Sequence, residues 1–247
     1  MKVFTVTRCL LLTLLLVLAT TANKSKHAVR RSAFDAKKLV YTGPESRVKV
    51  NSDCSPIPSM TALTACAWLK ANAMGEKTTI MSYAVAGQPN ELKFYISATL
   101  RVYTYVSGEW RYDNIQSDGW QDNEWMHLCY GWDNSGVLKG YLNGVLVKDS
   151  TGLSDGVTVT GGGVMYLGQE QDTLGGGFDN DEALVGELTS FNLWSRRLSD
   201  AEIADVYDTC SVIDDSLMPD VFTWDVYHLD IEPTDVSVEY LDAGEPC

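Results

Sequence analysis

The sequence predicts an all-β fold: an antiparallel two-sheet jelly-roll sandwich with one short helix packed on it. Many short segments are rich in Val, Thr, Tyr and Trp, and many alternate apolar with polar residues, as half-buried strands do. Groups of Gly, Asn, Asp, Ser and Pro separate these segments in the manner of turns. Only one stretch has the features of a helix, and many short strands without intervening helices favour an antiparallel sandwich.

The predicted strands follow one another from Leu39 to Trp194. In chain order they are SRVKV, MTALTACAWLKA, TTIMSYAV, ELKFYIS, LRVYTYV, EWMHLCYGW, VLKGYLNGVLV (two strands of a hairpin), GVTVT, GVMYLGQ and ELTSFNLW. The hairpin is signalled by Asn143-Gly144, because both residues tolerate the positive φ angles of a type I′ turn. No internal repeat is visible, so we expect a single sandwich domain over residues 34–247.

The predicted helix begins after Ser199. Ser199 and Glu202 fit a capping box, in which Ser199 is the N-cap residue and Glu202 occupies N3. Leu198 and Ile203 stand at the two positions of a hydrophobic staple. Ile203 and Val206 then provide an apolar face with which the helix can pack on the sandwich.

The first residues indicate secretion. Lys2 and Arg8 precede an apolar run over 9–19, and small residues follow it, which is the pattern of a signal peptide over residues 1–22. The run is short for a membrane span, and no other long apolar run occurs. Residues 23–33 form a basic N-terminal arm. We therefore expect a secreted, extracellular protein without a membrane span.

The charge of the chain limits its partners. Removal of residues 1–22 takes away two of the 19 basic residues and none of the 33 acidic ones, so the net charge changes from −14 to −16. Such a surface repels nucleic acid and anionic membranes at long range. It suits a protein that binds cations, and we expect no nucleic-acid partner.

Five cysteines remain after the signal peptide: Cys54, Cys66, Cys129, Cys210 and Cys247. Most should be paired in an oxidising compartment, and an odd count leaves one over. The expected partner of Cys129, in EWMHLCYGW, is Cys66, in the apolar strand MTALTACAWLKA. The chain has three histidines and no CxxC motif, so a zinc site is not expected. We interpret His127 as structural because no matched nucleophile motif accompanies it.

The acidic segment LGQEQDTLGGGFDNDEALVGEL, residues 167–188, is the candidate metal site. Glu170 and Asp172 are two apart on a predicted strand, so both side chains should leave the same face. The glycines at 175–177 let the chain reverse, which can return Asp179 and Glu182 to the same point. Calcium takes roughly six to eight oxygen ligands from flexible, carboxylate-rich sites. The spacing therefore favours a calcium site slightly over a solvated acidic loop.

Paired carboxylates also serve glycoside hydrolases. Glu170-Gln171-Asp172 begins the ExDxxE pattern of jelly-roll glucanases, but Gly175 stands where the second Glu belongs. Because the acid/base pair is incomplete, we expect no catalytic activity.

Four motifs, in order, resemble the pentraxins: WMHLCYGWDNSG, LGQEQDTLGGGFD, GELTSFNLW and the capped helix. The resemblance runs from about Phe34 to Asp230. The family signature H-x-C-x-[ST]-W is matched at His127, Cys129 and Trp132, with Gly131 in place of Ser or Thr. The resemblance implies a short pentraxin: a calcium-dependent binding protein on a lectin-like sandwich, commonly a cyclic pentamer, with a Cys66–Cys129 disulfide.

The resemblance also implies the ligands of about two calcium ions per subunit. They would be Asn90, Glu170, the carbonyl of Gln171, Asp172, Asp179 and Glu182. Pro89 stands where the family has an Asp, and Gln88 or Glu91 could substitute for it. Tyr95 falls at the position of the aromatic residue of the ligand pocket. Cys210 and Cys247 are similar to a C-terminal disulfide found in some members, which would leave Cys54 unpaired; the alternative is a bond between Cys54 and Cys210.

These features predict a secreted pattern-recognition protein of innate humoral defence. Bound calcium would hold phosphorylated or acidic groups, such as phosphocholine, phosphoethanolamine or polysaccharide, on cell or microbial surfaces. The alternative is an adhesive module of the laminin-G type, in which calcium is only structural.

Overall fold

The structure is a computed structural model, and it describes residues 37–53, 55–73, 76–115, 119–209, 215–231 and 235–246. The predicted signal peptide, the basic arm, Cys54 and the predicted Cys210–Cys247 disulfide lie outside the described residues.

Across the described residues, fourteen strands form two seven-stranded sheets, and the predicted sandwich is confirmed. The strands are β1 Lys37–Tyr41, β2 Val48–Val50, β3 Ala62–Ala73, β4 Lys77–Val85, β5 Gln88–Ser97, β6 Arg101–Val106, β7 Glu109–Asn114, β8 Met126–Asp133, β9 Leu138–Leu142, β10 Val145–Ser150, β11 Val164–Leu167, β12 Val185–Trp194, β13 Leu229–Ile231 and β14 Val236–Tyr240. The first sheet has the order β10-β9-β8-β3-β12-β1-β14, and the second has the order β13-β2-β11-β4-β5-β6-β7. All strand pairs are antiparallel.

The hydrophobic core fills the space between the two sheets. In β5, Leu92, Phe94 and Ile96 are buried in the core, while the residues between them belong to the outer face of the second sheet. Trp132 from the first sheet and Tyr83 from the second are among the largest fully buried side chains. Alternation along the strands thus gives the second sheet an outer face on which polar and aromatic side chains can be presented.

The strand prediction differs from the structure at GVTVT and at four strands that it did not contain, β1, β7, β13 and β14. GVTVT, residues 156–160, forms no strand and contributes a single bridge between Val159 and Met60. Gly156 and Gly162 have φ angles of +75° and +78°, which interrupt an extended conformation on both sides of Val159. Conversely, β7 was not predicted, although its sequence EWRYDN follows a Ser107-Gly108 turn and pairs along β6.

The predicted hairpin joins β9 to β10. Asn143 and Gly144 have φ angles of +49° and +77°, as a type I′ turn requires. The Oδ1 atom of Asn143 also accepts a hydrogen bond from the backbone N–H of His127 at 2.9 Å. The turn residue therefore ties the hairpin to β8.

The helix α1 spans Asp200–Thr209. Its capping box is confirmed: the backbone N–H of Ser199 donates to Glu202 Oε2 at 2.8 Å, and Glu202 N–H donates to Ser199 Oγ at 3.3 Å. Ile203 and Val206 are buried and pack in a cluster around the Cys66–Cys129 pair. Single turns of 3-10 helix occur at Asn180–Glu182, Asp215–Leu217 and Val226–His228. Within the described ranges, no helix has the length and apolar character needed to cross a bilayer.

The predicted Cys66–Cys129 disulfide joins β3 to β8, whose residues 66 and 129 are directly paired across the sheet. The two cysteines are separated by 63 positions in the chain. A cross-link over a loop of this length strongly restricts the unfolded chain, so it should stabilise the folded domain.

Replacement of both cysteines tests this stabilisation. We expect the double variant Cys66→Ala/Cys129→Ala to lose about 4 kcal/mol of unfolding free energy, because the unfolded chain regains the entropy of the open loop. Denaturant unfolding followed by tryptophan fluorescence measures the change. A loss below about 1 kcal/mol, with the far-ultraviolet circular dichroism unchanged, would contradict it.

His127 lies beside the disulfide, and its environment agrees with a structural role. The residue is 2% exposed, and its ring contacts the rings of Trp68 and Tyr207, with centroids 5.1 and 5.7 Å away. Its Nε2 atom is 3.6 Å from Cys129 Sγ. Burial in these surroundings lowers the pKa of His127 to about 3.

The buried imidazole should make the domain sensitive to mild acid. The folded pKa lies below the unfolded value of roughly 6.5, so the unfolded chain binds the extra proton as the pH falls below that value. We expect unfolding free energy to fall by about 1.4 kcal/mol for each pH unit between pH 6 and 5 through this group. In His127→Gln this component of the slope should vanish. Equal slopes of stability against pH in the two chains would show that His127 is not responsible.

Candidate metal centre on the outer face of the second sheet

The acidic segment begins where β11 ends, and backbone contacts fix both of its ends. Gly168 follows the last residue of β11, has a φ angle of +82° and packs directly against the ring of Tyr41, where a side chain would collide. Its N–H donates to the carbonyl of Ile80 at 3.1 Å, and its carbonyl accepts from Leu184 N–H at 2.8 Å. The segment therefore leaves the sheet and returns to it at a defined point.

Glu170 and Asp172 do not share a strand face, and this prediction was wrong. The strand β11 ends at Leu167, so both residues lie in irregular chain. Glu170 is 2% exposed, whereas Asp172 is exposed. The early end of the strand places one carboxylate inside the protein and leaves the other at its surface.

Two glutamine side chains hold the backbone on either side of Glu170. Gln171 is fully buried, and its Nε2 atom donates to the carbonyls of Val164 at 3.0 Å and Ser82 at 3.3 Å. Its Oε1 atom accepts from Gly175 N–H at 2.9 Å. Gln169 is also buried, and its Oε1 atom accepts from Glu170 N–H at 2.9 Å. Because its side chain is fully hydrogen-bonded, Gln171 can offer an ion only its backbone carbonyl.

The rest of the segment forms two tight turns. Thr173 and Gly176 exchange two backbone hydrogen bonds of 3.1 Å. Gly177, with φ of +73°, then passes close to Asp172, and a Cβ atom at this position would lie 2.9 Å from Asp172 Cβ. Asp179 caps the 3-10 turn Asn180–Glu182 by accepting the N–H of Asp181 at 3.0 Å. This turn carries Glu182 back toward the sheet.

Two lysines of the second sheet form ion pairs with Glu170 and Glu182 of the acidic segment. The ammonium Nζ of Lys93, on β5, lies 3.0 Å from Glu170 Oε1 and 3.0 Å from Glu182 Oε2. The other oxygen of Glu182, Oε1, is paired with Lys77 on β4. The side chains of Lys93 and Glu170 are only 6% and 3% exposed, whereas that of Lys77 is 35% exposed. Glu170 and Glu182 are thus brought together through an ammonium group.

Burial and neighbouring charges oppose one another in this cluster. Burial raises the pKa of Glu170, and the charge and hydrogen bond of Lys93 offset only part of that rise. For Lys77, burial alone would lower the pKa, but the hydrogen bond and charge of Glu182 outweigh it and the pKa is raised. The pairing with Glu182 therefore favours the charged form of Lys77.

Two buried oxygen atoms, one of Glu170 and one of Asn90, favour a further cation. Glu170 Oε2 and Asn90 Oδ1 are buried and have no hydrogen-bond partner among the described residues. Both are hard oxygen donors of the kind that calcium prefers. Leaving such buried oxygens without a partner is energetically unfavourable. The donor chemistry of these two residues therefore fits a calcium ion.

The other predicted ligands stand farther apart. Within the described part of the chain, the only three His, Cys, Asp or Glu side chains with ligand atoms within 4.8 Å of one another are Cys66, His127 and Cys129. The two sulfur atoms of that group are joined in the disulfide. Asp172 and Asp179 are both exposed and lie on different turns of the acidic segment. The ligand roles of all six candidates remain predictions.

Neither neighbour of Pro89 and Asn90 is free to replace the missing aspartate. Gln88 Oε1 accepts the backbone N–H of Asn90 at 3.1 Å. Glu91 is 1% exposed; its Oε1 atom accepts the backbone N–H of Thr160, and its Oε2 atom accepts from Ser107 Oγ at 3.3 Å. Both side chains stabilise the β4–β5 hairpin and its surroundings, so Asn90 is left as the ligand candidate of this turn.

The same outer face carries a strip of aromatic rings across β5, β6 and β7. This aromatic strip consists of Tyr95, Tyr103, Tyr105, Trp110 and Tyr112. Tyr95 is 6% exposed and stacks on Tyr103 with centroids 4.7 Å apart. Lys93 Nζ lies 5.1 Å from the centroid of Tyr95 and 5.7 Å from that of Tyr105, so the strip adjoins the acidic segment.

Sequence reasoning missed both lysines and most of the strip. Lys93 is two residues before Tyr95 in β5, so the alternation of ELKFYIS could have placed the two side chains on one face. The pairing of Lys93 with Tyr105 in β6, and of Tyr105 with Trp110 in β7, depends on register between strands. No local pattern in the sequence defines that register.

Comparison with known proteins identifies the family. Residues 45–238 match the Pentaxin family. Human neuronal pentraxin-1 is 36% identical over 178 residues, which cover 71% of this chain and 39% of that protein. The human neuronal pentraxin receptor is 30% identical over 165 residues, which cover 66% of this chain and 32% of the relative. The chain thus spans about two fifths or less of the length of these curated relatives.

Solved structures share the fold. The heptameric SAP-like pentraxin from Limulus polyphemus superimposes with a TM-score of 0.73 and 23% identity, covering 84% of this chain and 96% of its own. The extracellular region of zebrafish Gpr126/Adgrg6 has a TM-score of 0.66 and 19% identity, covering 86% of this chain and 27% of its own. With the match over residues 45–238 and the ordered motifs around the acidic segment, the chain belongs to the pentraxin family.

Proposed function

We propose that this chain is a secreted, calcium-dependent binding protein that recognises phosphorylated or acidic groups on cell or microbial surfaces. One observation carries the proposal: Glu170 Oε2, within the acidic segment, and Asn90 Oδ1 are buried without a partner among the described residues. Glu170 is paired with Lys93, which lies on the outer face that also presents the aromatic strip. A cation site and a ligand-contacting surface thus adjoin each other.

The proposed ligands divide into two groups. Asn90, Glu170, Asp172 and the carbonyl of Gln171 would hold one ion, while Glu170, Asp172, Asp179 and Glu182 are the predicted donors of a second. Bound calcium would supply an open coordination position for a phosphate or carboxylate oxygen of the ligand. The residues of the chain orient the donor oxygens, and Gln169 and Gln171 fix the backbone between them.

Charge supports the dependence on a cation. The chain has a net charge of −14, so its surface repels an anionic ligand at long range. The carboxylates of the acidic segment are close to the proposed binding point and would add to that repulsion. Recognition of an acidic group on this face therefore needs a positive charge, which calcium would provide.

The aromatic strip supports contact with the rest of the ligand. Trp110 is 46% exposed and Tyr112 is 42% exposed, whereas Tyr95 is covered by its neighbours. Tyr95, the residue predicted to contact ligand, would therefore act mainly by supporting Tyr103 and Tyr105. The indole of Trp110 offers a flat apolar surface with a polar edge, which suits a sugar ring or an alkylammonium group.

Assembly and location extend the proposal. One structural relative is described as heptameric, and the family resemblance leads us to propose a cyclic homo-oligomer, with a pentamer as the expected ring. Several weak sites on one face of a ring increase avidity without new contacts. The predicted signal peptide supports secretion, and a role in innate defence follows from the proposed ligands. No catalytic activity is proposed.

Retention on immobilised ligands tests the function. We expect the full chain to bind phosphocholine, phosphoethanolamine or polysaccharide beads in calcium and to elute with chelator, because the acidic segment alone repels these groups. Glu170→Gln should lose at least tenfold in calcium affinity by calorimetry, whereas Asp149→Asn on β10 should bind normally. Retention that persists in chelator would refute the mechanism and favour an adhesive module with structural calcium.

A second variant tests the aromatic strip. We expect Trp110→Ala to weaken retention about tenfold, or ~1.4 kcal/mol, because an exposed contact surface is removed. Calcium calorimetry should give the same affinity and number of ions as the parent chain. Tyr240→Ala, which removes a ring that is 63% exposed on the first sheet, is the matched control. Equal losses in both variants would exclude a specific role for the strip.

A further inference from the structure

The ammonium group of Lys93 occupies a central place in the acidic segment. It is 3.0 Å from an oxygen of Glu170 and 3.0 Å from an oxygen of Glu182, the two residues whose side chains the sheet and the 3-10 turn bring together. We propose that Lys93 is a resident cation that takes the place of the second calcium ion, so that the chain binds one ion per subunit. This inference rests on the proposed calcium binding and specifies its stoichiometry.

The contacts of Glu182 leave it without a free oxygen. Oε1 is paired with Lys77 and Oε2 with Lys93. A second ion would need at least one of these oxygens, together with Glu170. It would have to displace an ammonium group or lie beside it, and two cations in that position repel one another.

Lys93 is also held in place from its other side. The side chain is 6% exposed, and its ammonium lies over the rings of Tyr95 and Tyr105. Such cation–π contacts attract an ammonium group to the ring faces, most strongly where water is largely excluded. The ammonium group of Lys93 is therefore held in the site by two carboxylates and two aromatic rings.

The contacts of Glu170 differ from those of Glu182, and the difference leaves room for one ion. Its Oε1 atom is paired with Lys93, but Oε2 is buried without a partner among the described residues. Asn90 Oδ1 is likewise buried without a partner among the described residues. The two lysines balance the charges of Glu170 and Glu182, so the buried oxygens left without a partner among the described residues, Glu170 Oε2 and Asn90 Oδ1, are both donors assigned to the first ion.

A resident cation has a consequence for the calcium-free protein. Like charges gathered in one loop repel each other and favour its opening. Lys93 and Lys77 compensate Glu170 and Glu182 whether or not calcium is present. The acidic segment should therefore keep its folded conformation in chelator.

Calcium calorimetry of a variant without the Lys93 charge tests whether Lys93 takes the place of a calcium ion. We expect the parent chain to bind one calcium ion per subunit and Lys93→Met to bind one more, because Glu170 Oε1 and Glu182 Oε2 are released. Lys139→Met removes an ammonium paired with Asp200, away from the acidic segment, and should bind as the parent does. Two ions in the parent chain, or no added ion in the variant, would overturn the proposal.

Limited proteolysis in chelator provides the second measurement. Chymotrypsin can cleave at Leu174 and Phe178 when the acidic segment opens. We expect Lys93→Met to be cut there at least tenfold faster than the parent, and added calcium to restore resistance. Equal cleavage rates in chelator would overturn the role of Lys93 as resident cation.

The two measurements separate this inference from the proposed function. A parent chain that binds no calcium would refute the proposed function, while cleavage in chelator would still decide the role of Lys93. Lys93→Gln is a second neutral variant that retains hydrogen bonding, and it should gain the same ion. If both neutral variants failed to fold even in excess calcium, the proposal would be overturned, since an ion should restore the lost charge.

Discussion

The charge of Glu170 is the constraint on which the functional face depends. A carboxylate that is 2% exposed is strongly unfavourable unless a cation or hydrogen bonds compensate it. Lys93 provides one half of that compensation at Oε1, while Oε2 remains without a partner among the described residues. The position of Lys93 then determines where Glu182 can return. The acidic segment is thus arranged around one buried negative charge.

The sandwich makes this arrangement possible because it places three separate parts of the chain on one outer face. The adjacent strands β4 and β5 carry Lys77 and Lys93, and β11 leads into the acidic segment on the other side of β4. Gly168 sets the direction in which the chain leaves β11, and the Gln171 side chain then fixes it to β4 and β11. The first sheet, with its disulfide and helix, supports this face from behind but contributes none of its charges.

Two binding elements with different chemistry meet at Lys93. On one side are the carboxylates of the acidic segment, and on the other are the rings of Tyr95 and Tyr105. An ammonium group in this position is shared between ion pairs and ring faces, so it links the acidic segment to the aromatic strip. Substitutions at Lys93 should therefore affect both the acidic segment and the aromatic strip.

The sequence by itself determined the fold class, the main strands, the capped helix, the Asn143-Gly144 turn, the Cys66–Cys129 pair and the segment that holds the acidic candidates. These features depend on short-range patterns: alternation, turn chemistry, capping and ordered family motifs. Alternation failed for GVTVT, where glycines on both sides interrupt the strand, and for Glu170 and Asp172, where the strand ends at Leu167.

Only the tertiary structure decided which charge compensates which. Lys93 is 77 residues before Glu170 and 89 before Glu182, and their contact depends on sheet register and on the turn at Asn180–Glu182. The burial of the Asn90 and Glu170 oxygens without a partner among the described residues depends on tertiary structure in the same way, and so does the assembly of the aromatic strip from three strands. Such contacts join residues that are distant in the chain, and local sequence patterns carry no information about their distance in space.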